Sequence, residues 1–312
     1  MSITEPVKLL LKVPAKINLY LEILGKRENG YHEIRSVVVP VSLYDVVALE
    51  KTDSVIETTV ETSKSLIGET MHLPEPKDNL VTKAAVFFRE QTGYSGGVRI
   101  RLEKNIPVGS GLGGGSSDAA AVLIGLNMLW QTGIPKEDLM AIGSQLGCDI
   151  PAMIHGGAVC VEGFGEKVTP IPVISEWWMV IANPGFNVST RDIYLMYSSA
   201  LTSIPLPISS MVSALREGNV EAAAQGLFNG LQKTVFRKYP LIEMVAEGLG
   251  KVGAIEVSLS GSGAAVFGLA RNEEHAHSID KCAGRALGFE FWSRVVRTLP
   301  DGVMVAHGPL EA

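Results

Sequence analysis

Cysteine is scarce in this sequence, and its spacing argues against two common kinds of site. The 312 residues include three cysteines, Cys148, Cys160 and Cys282. They are odd in number, widely separated and outside any Cys-x-x-Cys pair, so they predict neither a disulfide framework nor a zinc site. A chain of this length buries a core large enough to fold without either kind of cross-link.

Long apolar segments are also missing. No stretch approaches the ~18 uninterrupted apolar residues that a membrane-spanning helix needs. The apolar run near the N-terminus is broken by Lys8, Lys12 and Pro14, which makes it too short and too charged for a secretory signal. Together with the unpaired cysteines, these features predict a cytoplasmic protein without a membrane partner.

The chain has no excess of positive charge. It carries 27 Lys+Arg against 33 Asp+Glu, a formal net charge of −6 at pH 7. Proteins that bind nucleic acid usually have a basic balance, so no nucleic-acid partner is expected. A local pocket for a small anion is compatible with this charge, and a small-molecule partner is the remaining expectation.

Strand and helix patterns are mixed along the chain. The segment KINLYLEIL, which begins at Lys16, alternates polar and apolar residues as a strand does, with Lys16 and Asn18 on its polar face. Helical spacing runs from a predicted N-cap at Asp78 to Gly93, and residues 199–210 have the proline and serine content of a linker. Because strands and helices do not alternate strictly, the pattern predicts an α+β protein of two domains rather than a doubly wound parallel sheet.

The segment GSGLGGGSSDAAAVL, residues 109–123, has five glycines within its first seven positions. A P-loop is excluded because the segment lacks the Gly-Lys-Ser/Thr ending. Gly109, Gly111 and Gly114 match the dinucleotide-binding pattern Gly-x-Gly-x-x-Gly. However, the preceding strand VRIRLEK is charged on one face, whereas a Rossmann strand is apolar on both. A flexible surface turn is the structural alternative, but such a turn rarely needs so many glycines.

A phosphate-binding loop at a helix N-terminus fits this segment better. Glycines let backbone amides turn toward an anion and let phosphate oxygens approach closely. Ser116 and Ser117 lie where the loop becomes a helix, as N-caps or as hydroxyl ligands of phosphate or Mg²⁺. The helix, predicted to run to about Trp130, favours an anion through its dipole. The predicted binding residues are Pro107, Val108, Gly109, Ser110, Gly111, Leu112, Gly113, Gly114, Gly115, Ser116 and Ser117.

This loop resembles the central phosphate loop of the GHMP kinases, a family of small-molecule kinases. Further segments resemble other motifs of the family and occur in the same order along the chain. They are PAKINLYLEILGKRENGYHEIRSV, KDNLVTKAA, LGCDIPAMIHGGAVCVEGFGE and SLSGSGAAVFGL. The ordered set spans roughly Val13 to Leu269 and is far more specific than any single motif.

The resemblance implies an α+β fold of two domains. Residues 1–170 would form a ribosomal S5 domain 2-like domain that binds ATP and carries catalysis. Residues 171–312 would form a ferredoxin-like domain that binds the substrate. The implied reaction is phosphorylation of a hydroxyl group by ATP with Mg²⁺, for which Ser117 is the candidate metal ligand. The protein would be a monomer or a homodimer.

The resemblance also assigns roles to two charged side chains. Lys16, which by itself reads as a solvent-facing strand residue, would stabilise charge on the transferred phosphoryl group. Asp149, by itself an ordinary turn aspartate, is the only acidic residue between Asp138 and Glu162. It would accept the proton of the acceptor hydroxyl.

A cytidine diphosphate-linked polyol is the acceptor that the N-terminal motif implies. By themselves, Tyr31 and His32 read as surface residues after an Asn-Gly turn. The resemblance implies that Tyr31 stacks on the cytosine and that His32 hydrogen-bonds to it. Asn18 is a further expected substrate-binding residue. Tyr194 is either a second stacking face or a core residue packed with Tyr197.

Several interpretations stay open at this point. The SLSGSGAA segment, with Gly261 to Gly263, either closes the phosphate pocket or forms a tight β-turn. The acceptor is alternatively homoserine, mevalonate or a sugar, as in other GHMP kinases. A nucleotide-binding module without catalysis and a hydride-transfer enzyme that binds NAD(H) are alternatives from other functional classes.

Overall fold

A computed structural model describes residues 8–28, 30–63, 75–173 and 175–306. Two β-sheets and ten α-helices are found in these ranges. In chain order the strands are β1 (Lys8–Lys26), β2 (His32–Thr52), β3 (Ile56–Thr62), β4 (Gly97–Lys104), β5 (Val159–Gly163), β6 (Lys167–Pro170), β7 (Trp178–Asn183), β8 (Phe228–Asn229), β9 (Val257–Leu259), β10 (Val266–Ala270), β11 (Trp292–Arg297) and β12 (Met304–Val305). The helices are α1 (Leu80–Thr92), α2 (Gly114–Leu129), α3 (Lys136–Ser144), α4 (Ile150–His155), α5 (Thr190–Met196), α6 (Ile208–Glu217), α7 (Val220–Gly226), α8 (Gln232–Lys238), α9 (Pro240–Lys251) and α10 (Glu273–Ala286).

The larger sheet is organised around the long antiparallel hairpin β1–β2. The strand order in its described part is β12-β1-β2-β4-β3, with β5 and β6 attached through β2 and with β8 beside β1. The β2–β4 pair is antiparallel, whereas β3 and β4 are parallel. Since β8 and β12 come from beyond residue 171, the chain returns twice to this sheet. The division into residues 1–170 and 171–312 stays a prediction.

The smaller sheet has the order β11-β7-β10-β9, and all its pairs are antiparallel. One face packs on the larger sheet, because Ile17 of β1 belongs to the same apolar cluster as Met179 and Phe267. The other face is covered by α9 and α10, whose Ile242 and Ile279 join a separate cluster. The combination of two β-sheets with packed helices confirms the α+β prediction.

The middle of β1 is buried on both faces, which the alternating pattern does not predict. Ile17 and Leu19 are fully buried, but Lys16 and Asn18 on the polar face are also only 4% and 6% exposed. The phosphate loop lies against this part of β1, where the Lys16 amide donates to the Leu112 carbonyl at 2.9 Å. The polar face of β1 therefore lines a site instead of facing solvent.

Helix α2 runs through the apolar cluster that also contains Leu11, Leu49 and Phe88. Its Ala119, Ala120 and Ala121 are fully buried, and a helix that is apolar all round is expected at such a position. At Gly125 an added Cβ would collide with the side chain of Leu49, so glycine allows the helix and sheet to pack closely. The end of α2 at Leu129 confirms the predicted helix boundary near Trp130.

Two predicted N-caps are wrong. Asn79 caps α1, because its side chain accepts from the Val81 amide at 3.1 Å, while Asp78 belongs to a preceding 3-10 turn. Gly113 takes the cap position of α2 with a φ of 70°. The serines at 116 and 117 therefore lie inside the first turn of α2.

The predicted linker at residues 199–210 is shorter than expected. Within 199–210, a 3-10 turn covers Ser199–Leu201 and α6 begins at Ile208, which leaves residues 202–207 as the connection. The polar sequence TDSVIETTVETSKSLIGET before Pro74 is typical of an exposed β-arm, and its described part forms β3, paired with β4. Residues 64–74 and Asn29 of the Asn-Gly turn lie outside the described residues.

Candidate active site

The phosphate loop between β4 and α2 turns its carbonyl groups toward the protein. Five consecutive carbonyls, those of residues 109 to 113, each accept a hydrogen bond. The donors are the Val188 amide to Gly109 (3.1 Å), the Ala265 amide to Ser110 (2.9 Å), the Ser260 hydroxyl to Gly111 (3.0 Å), the Lys16 amide to Leu112 (2.9 Å) and the Ser117 amide to Gly113 (2.9 Å). Three separate parts of the chain thus fix the direction of the loop backbone.

The amide groups of the same loop are left for another partner. Gly109, Gly111 and Gly113 have φ angles of 61°, 81° and 70°, a conformation that glycine adopts without strain. No described residue accepts a hydrogen bond from the amides of residues 109–113, and the first amides of α2 have no partner within the helix. An anion would satisfy this row of donors.

Gly111 is where the loop tolerates a side chain least. Its φ is positive, and an added Cβ would collide with the Ser260 carbonyl oxygen. We expect Gly111→Ala to lower the free energy of unfolding by at least about 2 kcal/mol, from left-handed strain and overpacking. Gly115→Ala is the matched control, because it meets nothing within 4 Å in a helical position and should stabilise by roughly 0.5–1 kcal/mol. Denaturant unfolding of both variants measures the contrast; equal effects would show that the loop backbone is not constrained at Gly111.

Lys16 lies directly against this loop. A Cβ added to Gly113 would be 2.7 Å from Lys16 Cγ, so the loop glycine makes room for the lysine stem. Lys16 Nζ donates to Asn18 Oδ1 at 2.6 Å and is 3.9 Å from Asp149 Oδ2. Burial lowers the pKa of Lys16 from its ordinary value, although Asp149 opposes that change.

Asp149 directly precedes α4 and points toward Lys16. Its side chain is 46% exposed and makes no capping hydrogen bond to α4. The carboxylate is therefore accessible to a ligand, because it does not cap the following helix. The neighbouring Cys148 is half-buried, and burial raises the pKa of its thiol.

Asn18 is tied into a short buried chain of hydrogen bonds. Its Nδ2 donates to the Ser36 hydroxyl at 2.9 Å, and that hydroxyl donates to the Tyr20 carbonyl at 2.6 Å. This chain orients the amide so that Asn18 Oδ1 faces Lys16. In the described structure, Asn18 thus holds the ammonium group in place.

Aromatic side chains gather at the tip of the β1–β2 hairpin. Tyr31 is 57% exposed, and its ring centroid is 6.0 Å from that of Phe164. His32 lies 5.1 Å from Tyr194 and 6.0 Å from Tyr197, measured between ring centroids. The sequence patterns did not single out Phe164 as a site residue, and they offered Tyr197 only as a core neighbour.

His32 and Tyr194 have altered titration. Burial, with a smaller contribution from Lys26, lowers the pKa of His32, which favours a neutral imidazole with one donor and one acceptor. Burial also raises the pKa of the Tyr194 hydroxyl, and the nearby Asp149 and Cys148 add to the rise. Tyr194 therefore lies between His32 on one side and Asp149 with Cys148 on the other.

The SLSGSGAA segment forms a turn against the phosphate loop. The Gly263 amide donates to the Ser260 carbonyl at 2.9 Å, and the Ser262 and Thr190 hydroxyls are 2.7 Å apart. A Cβ on Gly261 would lie 3.4 Å from Lys16 Nζ and 3.2 Å from the Gly111 carbonyl oxygen. The two interpretations of this segment are compatible, because one tight turn also forms a wall of the loop site.

Known proteins share this architecture and much of this sequence. The models of the GHMP kinases N terminal domain and of the GHMP kinases C terminal match residues 79–157 and 211–285. A 4-diphosphocytidyl-2-C-methyl-D-erythritol kinase of Caldicellulosiruptor bescii is 40% identical over 268 residues, which cover 85% of this chain and 91% of that protein. The kinase of the same name from Symbiobacterium thermophilum is 39% identical over 288 residues, covering 91% and 98%. The chain belongs to the GHMP kinase family.

Solved structures agree with this membership. A crystal structure of 4-(cytidine 5'-diphospho)-2C-methyl-D-erythritol kinase is 32% identical, has a TM-score of 0.74 and covers 92% of this chain and 99% of its own. The homoserine kinase of Cytophaga hutchinsonii has a TM-score of 0.76 at 21% identity, covering 98% and 99% of the two chains, and so shares the fold. This protein is thus a small-molecule kinase with the two-domain GHMP kinase fold.

A buried triad of charges, which sequence reasoning missed, lies beneath the phosphate loop of this GHMP kinase. Asp45, Lys104 and Asp118 are 0%, 4% and 2% exposed. Lys104 Nζ donates to Asp118 Oδ2 at 2.7 Å and also to Asp45 Oδ2. Burial and the negative charge of Asp45 raise the pKa of Asp118, and the nearby Lys104 ammonium opposes that rise. An aspartate within the apolar run SSDAAAVL was the one sequence signal for this triad.

Two kinds of feature are absent from the described part of the kinase. Its residues contain no group of three or more His, Cys, Asp or Glu side chains that could hold a metal ion. None of the helices there is long and apolar enough to cross a bilayer.

Proposed function

We propose that this kinase transfers the γ-phosphoryl group of ATP to the 2-hydroxyl of 4-diphosphocytidyl-2-C-methyl-D-erythritol. The products are the 2-phosphate and ADP, within non-mevalonate isoprenoid precursor biosynthesis. The observation that carries the proposal is the row of loop amides beside Lys16 and Asp149, whose charged atoms are 3.9 Å apart. The named relatives support the choice of acceptor.

Each polar group has one role in this reaction. Within the loop of residues 107–117, the backbone amides from Gly109 to Ser116 hold the triphosphate, and the N-terminus of α2 adds its partial positive charge. Asp149 takes the proton of the 2-hydroxyl as that oxygen attacks phosphorus in line with the leaving ADP. The Lys16 ammonium stabilises negative charge on the transferred group, and Asn18 orients it.

Ser117 fits the role of a Mg²⁺ ligand. Its hydroxyl is buried without a hydrogen-bond partner in the described structure, and a hard oxygen donor suits this cation. In the absence of a clustered carboxylate set, the phosphates themselves would supply other ligands. The bound ion would neutralise charge between the β- and γ-phosphates.

The acceptor's cytosine would be held at the tip of the β1–β2 hairpin. Tyr31 offers an exposed ring for stacking, and a neutral His32 has both a donor and an acceptor for the base edge. Tyr194 supplies a second aromatic face. In the proposed division, residues 1–170 bind ATP and carry catalysis, while residues 171–312 contribute to substrate binding. A cytoplasmic location accords with the free thiols of all three cysteines.

A coupled assay of ADP release across a panel of acceptors tests this function. Turnover with the cytidylated acceptor, and little with homoserine, mevalonate or galactose, is the expected result. Preference for one of the other acceptors would identify a different GHMP kinase activity. ATP binding without ADP release for any acceptor would favour a nucleotide-binding module, and NAD(H) binding would favour hydride transfer.

Tyr31→Ala should separate acceptor binding from nucleotide binding. Loss of base stacking removes about 1–3 kcal/mol, so we expect the KM for the cytidylated acceptor to rise at least fivefold. The KM for ATP should not change, because the described ring contact of Tyr31 is with Phe164 and not with a residue of the phosphate loop. Val55→Ala, at another exposed turn with 58% exposure, is the control. An unchanged acceptor KM would remove Tyr31 from the acceptor site.

A further inference from the structure

We propose that Asp45, Lys104 and Asp118 are positioning residues that hold the phosphate loop ready for the nucleotide. This inference rests on the proposed function, because it concerns the affinity of the same loop for ATP. None of the three side chains needs to touch the nucleotide. They would act by fixing the two ends of the loop relative to each other.

The triad is bonded to the loop at both ends. At the entry, Asp45 Oδ1 accepts from the Asn105 amide at 2.5 Å and from the Ile106 amide at 2.8 Å, directly before Pro107. At the exit, Asp118 lies in the second turn of α2, the helix that follows the loop. Lys104 bridges the two carboxylates, so a single ammonium joins the start of the loop to its end.

The first residue of α2 also rests on the triad. A Cβ added at Gly114 would be 3.1 Å from Lys104 Nζ and 3.0 Å from Ile106 Cγ2. The helix N-terminus therefore packs onto the ammonium group, and the two carboxylates offset a cation at that position. This contact would set how far the anion-binding amides at the start of α2 lie from the larger sheet.

Stability alone is a weak explanation for these three buried charges. Desolvation of buried ion pairs often cancels their attraction, and apolar residues of similar volume can be equally stabilising. Such groups do specify one geometry, because each hydrogen bond has a required distance and direction. A loop with positive φ at Gly109, Gly111 and Gly113 needs that restraint to keep its amides in one arrangement.

The test compares Asp118→Ala with Asp118→Asn. Titration calorimetry with Mg²⁺ and adenylyl-imidodiphosphate, without acceptor, gives the nucleotide Kd, and steady-state kinetics give the KM of the acceptor. Asp118→Ala should raise the nucleotide Kd at least tenfold and leave the acceptor KM within twofold. Asp118→Asn should stay within threefold of the wild-type Kd, because its amide oxygen still accepts from Lys104. Glu176→Ala, which breaks an exposed ion pair with Arg297, is the control for loss of a charge elsewhere.

A folded Asp118→Ala protein with the wild-type Kd would overturn the inference, and so would equal losses in Asp118→Ala and Asp118→Asn. If Asp118→Ala does not fold, hydrogen exchange of the wild type decides. Slow exchange of the Asn105 and Ile106 amides before nucleotide is added supports a preformed loop, whereas protection that develops only with nucleotide contradicts it. Failure of the wild type to phosphorylate the cytidylated acceptor would instead count against the proposed function.

Discussion

Replacing Asp149 by asparagine should lower kcat by about 10²–10⁴, the range typical for removal of a general base. Asparagine has the same shape but cannot take the proton of the acceptor hydroxyl. The fold should be unaffected, because the side chain is 46% exposed and makes no capping hydrogen bond to the helix that follows. Steady-state kinetics and the ATP Kd measured on the same preparation check both expectations.

The control for this substitution is Asp138→Asn. Asp138 is an exposed aspartate in the first turn of α3, so it reports the effect of losing one carboxylate outside the site. We expect its kcat to match the wild type. If Asp149→Asn retained turnover within threefold of the wild type, another group would have to accept the proton.

Replacing Lys16 by methionine should lower kcat by about 10²–10³, the effect of removing one preorganised charge-stabilising donor. Methionine fills the channel of the lysine stem beside Gly113 but carries no charge. The ATP KM should change less than kcat, because the loop amides provide most of the contacts to the phosphates. Single-turnover measurements at saturating ATP separate the two effects.

The same variant tests the lowered pKa of Lys16 in the free protein. An unfolded lysine titrates near about 10.4, so between the lowered folded pKa and that value the unfolded chain binds more protons. The free energy of unfolding should therefore rise with pH across this window, and Lys16→Met should lack that part of the rise. Parallel pH profiles for the two proteins would contradict a perturbed, buried ammonium.

Local sequence patterns predicted which segments form helices and strands better than they predicted which faces of those elements are buried. The run of alanines after the phosphate loop predicted α2 and its end, because helix propensity and burial agree there. The alternation in β1 predicted a strand but assigned its polar face to solvent. Burial of Lys16 and Asn18 arises from packing of the loop against β1, which involves residues almost a hundred positions away and leaves no periodic signal.

Some residues of the candidate site were predicted from the sequence, and others were not. The loop, Lys16 and Asp149 were proposed from the sequence because motif order constrained them, and in the structure they are neighbours. The triad was missed because Asp45, Lys104 and Asp118 become partners only when two strands and a helix meet. Phe164 was missed for a similar reason, since its contact with Tyr31 joins two distant turns.

A crystal structure with Mg²⁺, adenylyl-imidodiphosphate and the cytidylated acceptor tests the central claim most directly. The phosphate oxygens should accept hydrogen bonds, at about 3 Å, from amides between Gly109 and Ser116. The acceptor's 2-hydroxyl should then lie within hydrogen-bond distance of Asp149. A triphosphate bound away from this loop, or an acceptor hydroxyl out of reach of Asp149 in the ternary complex, would contradict the account.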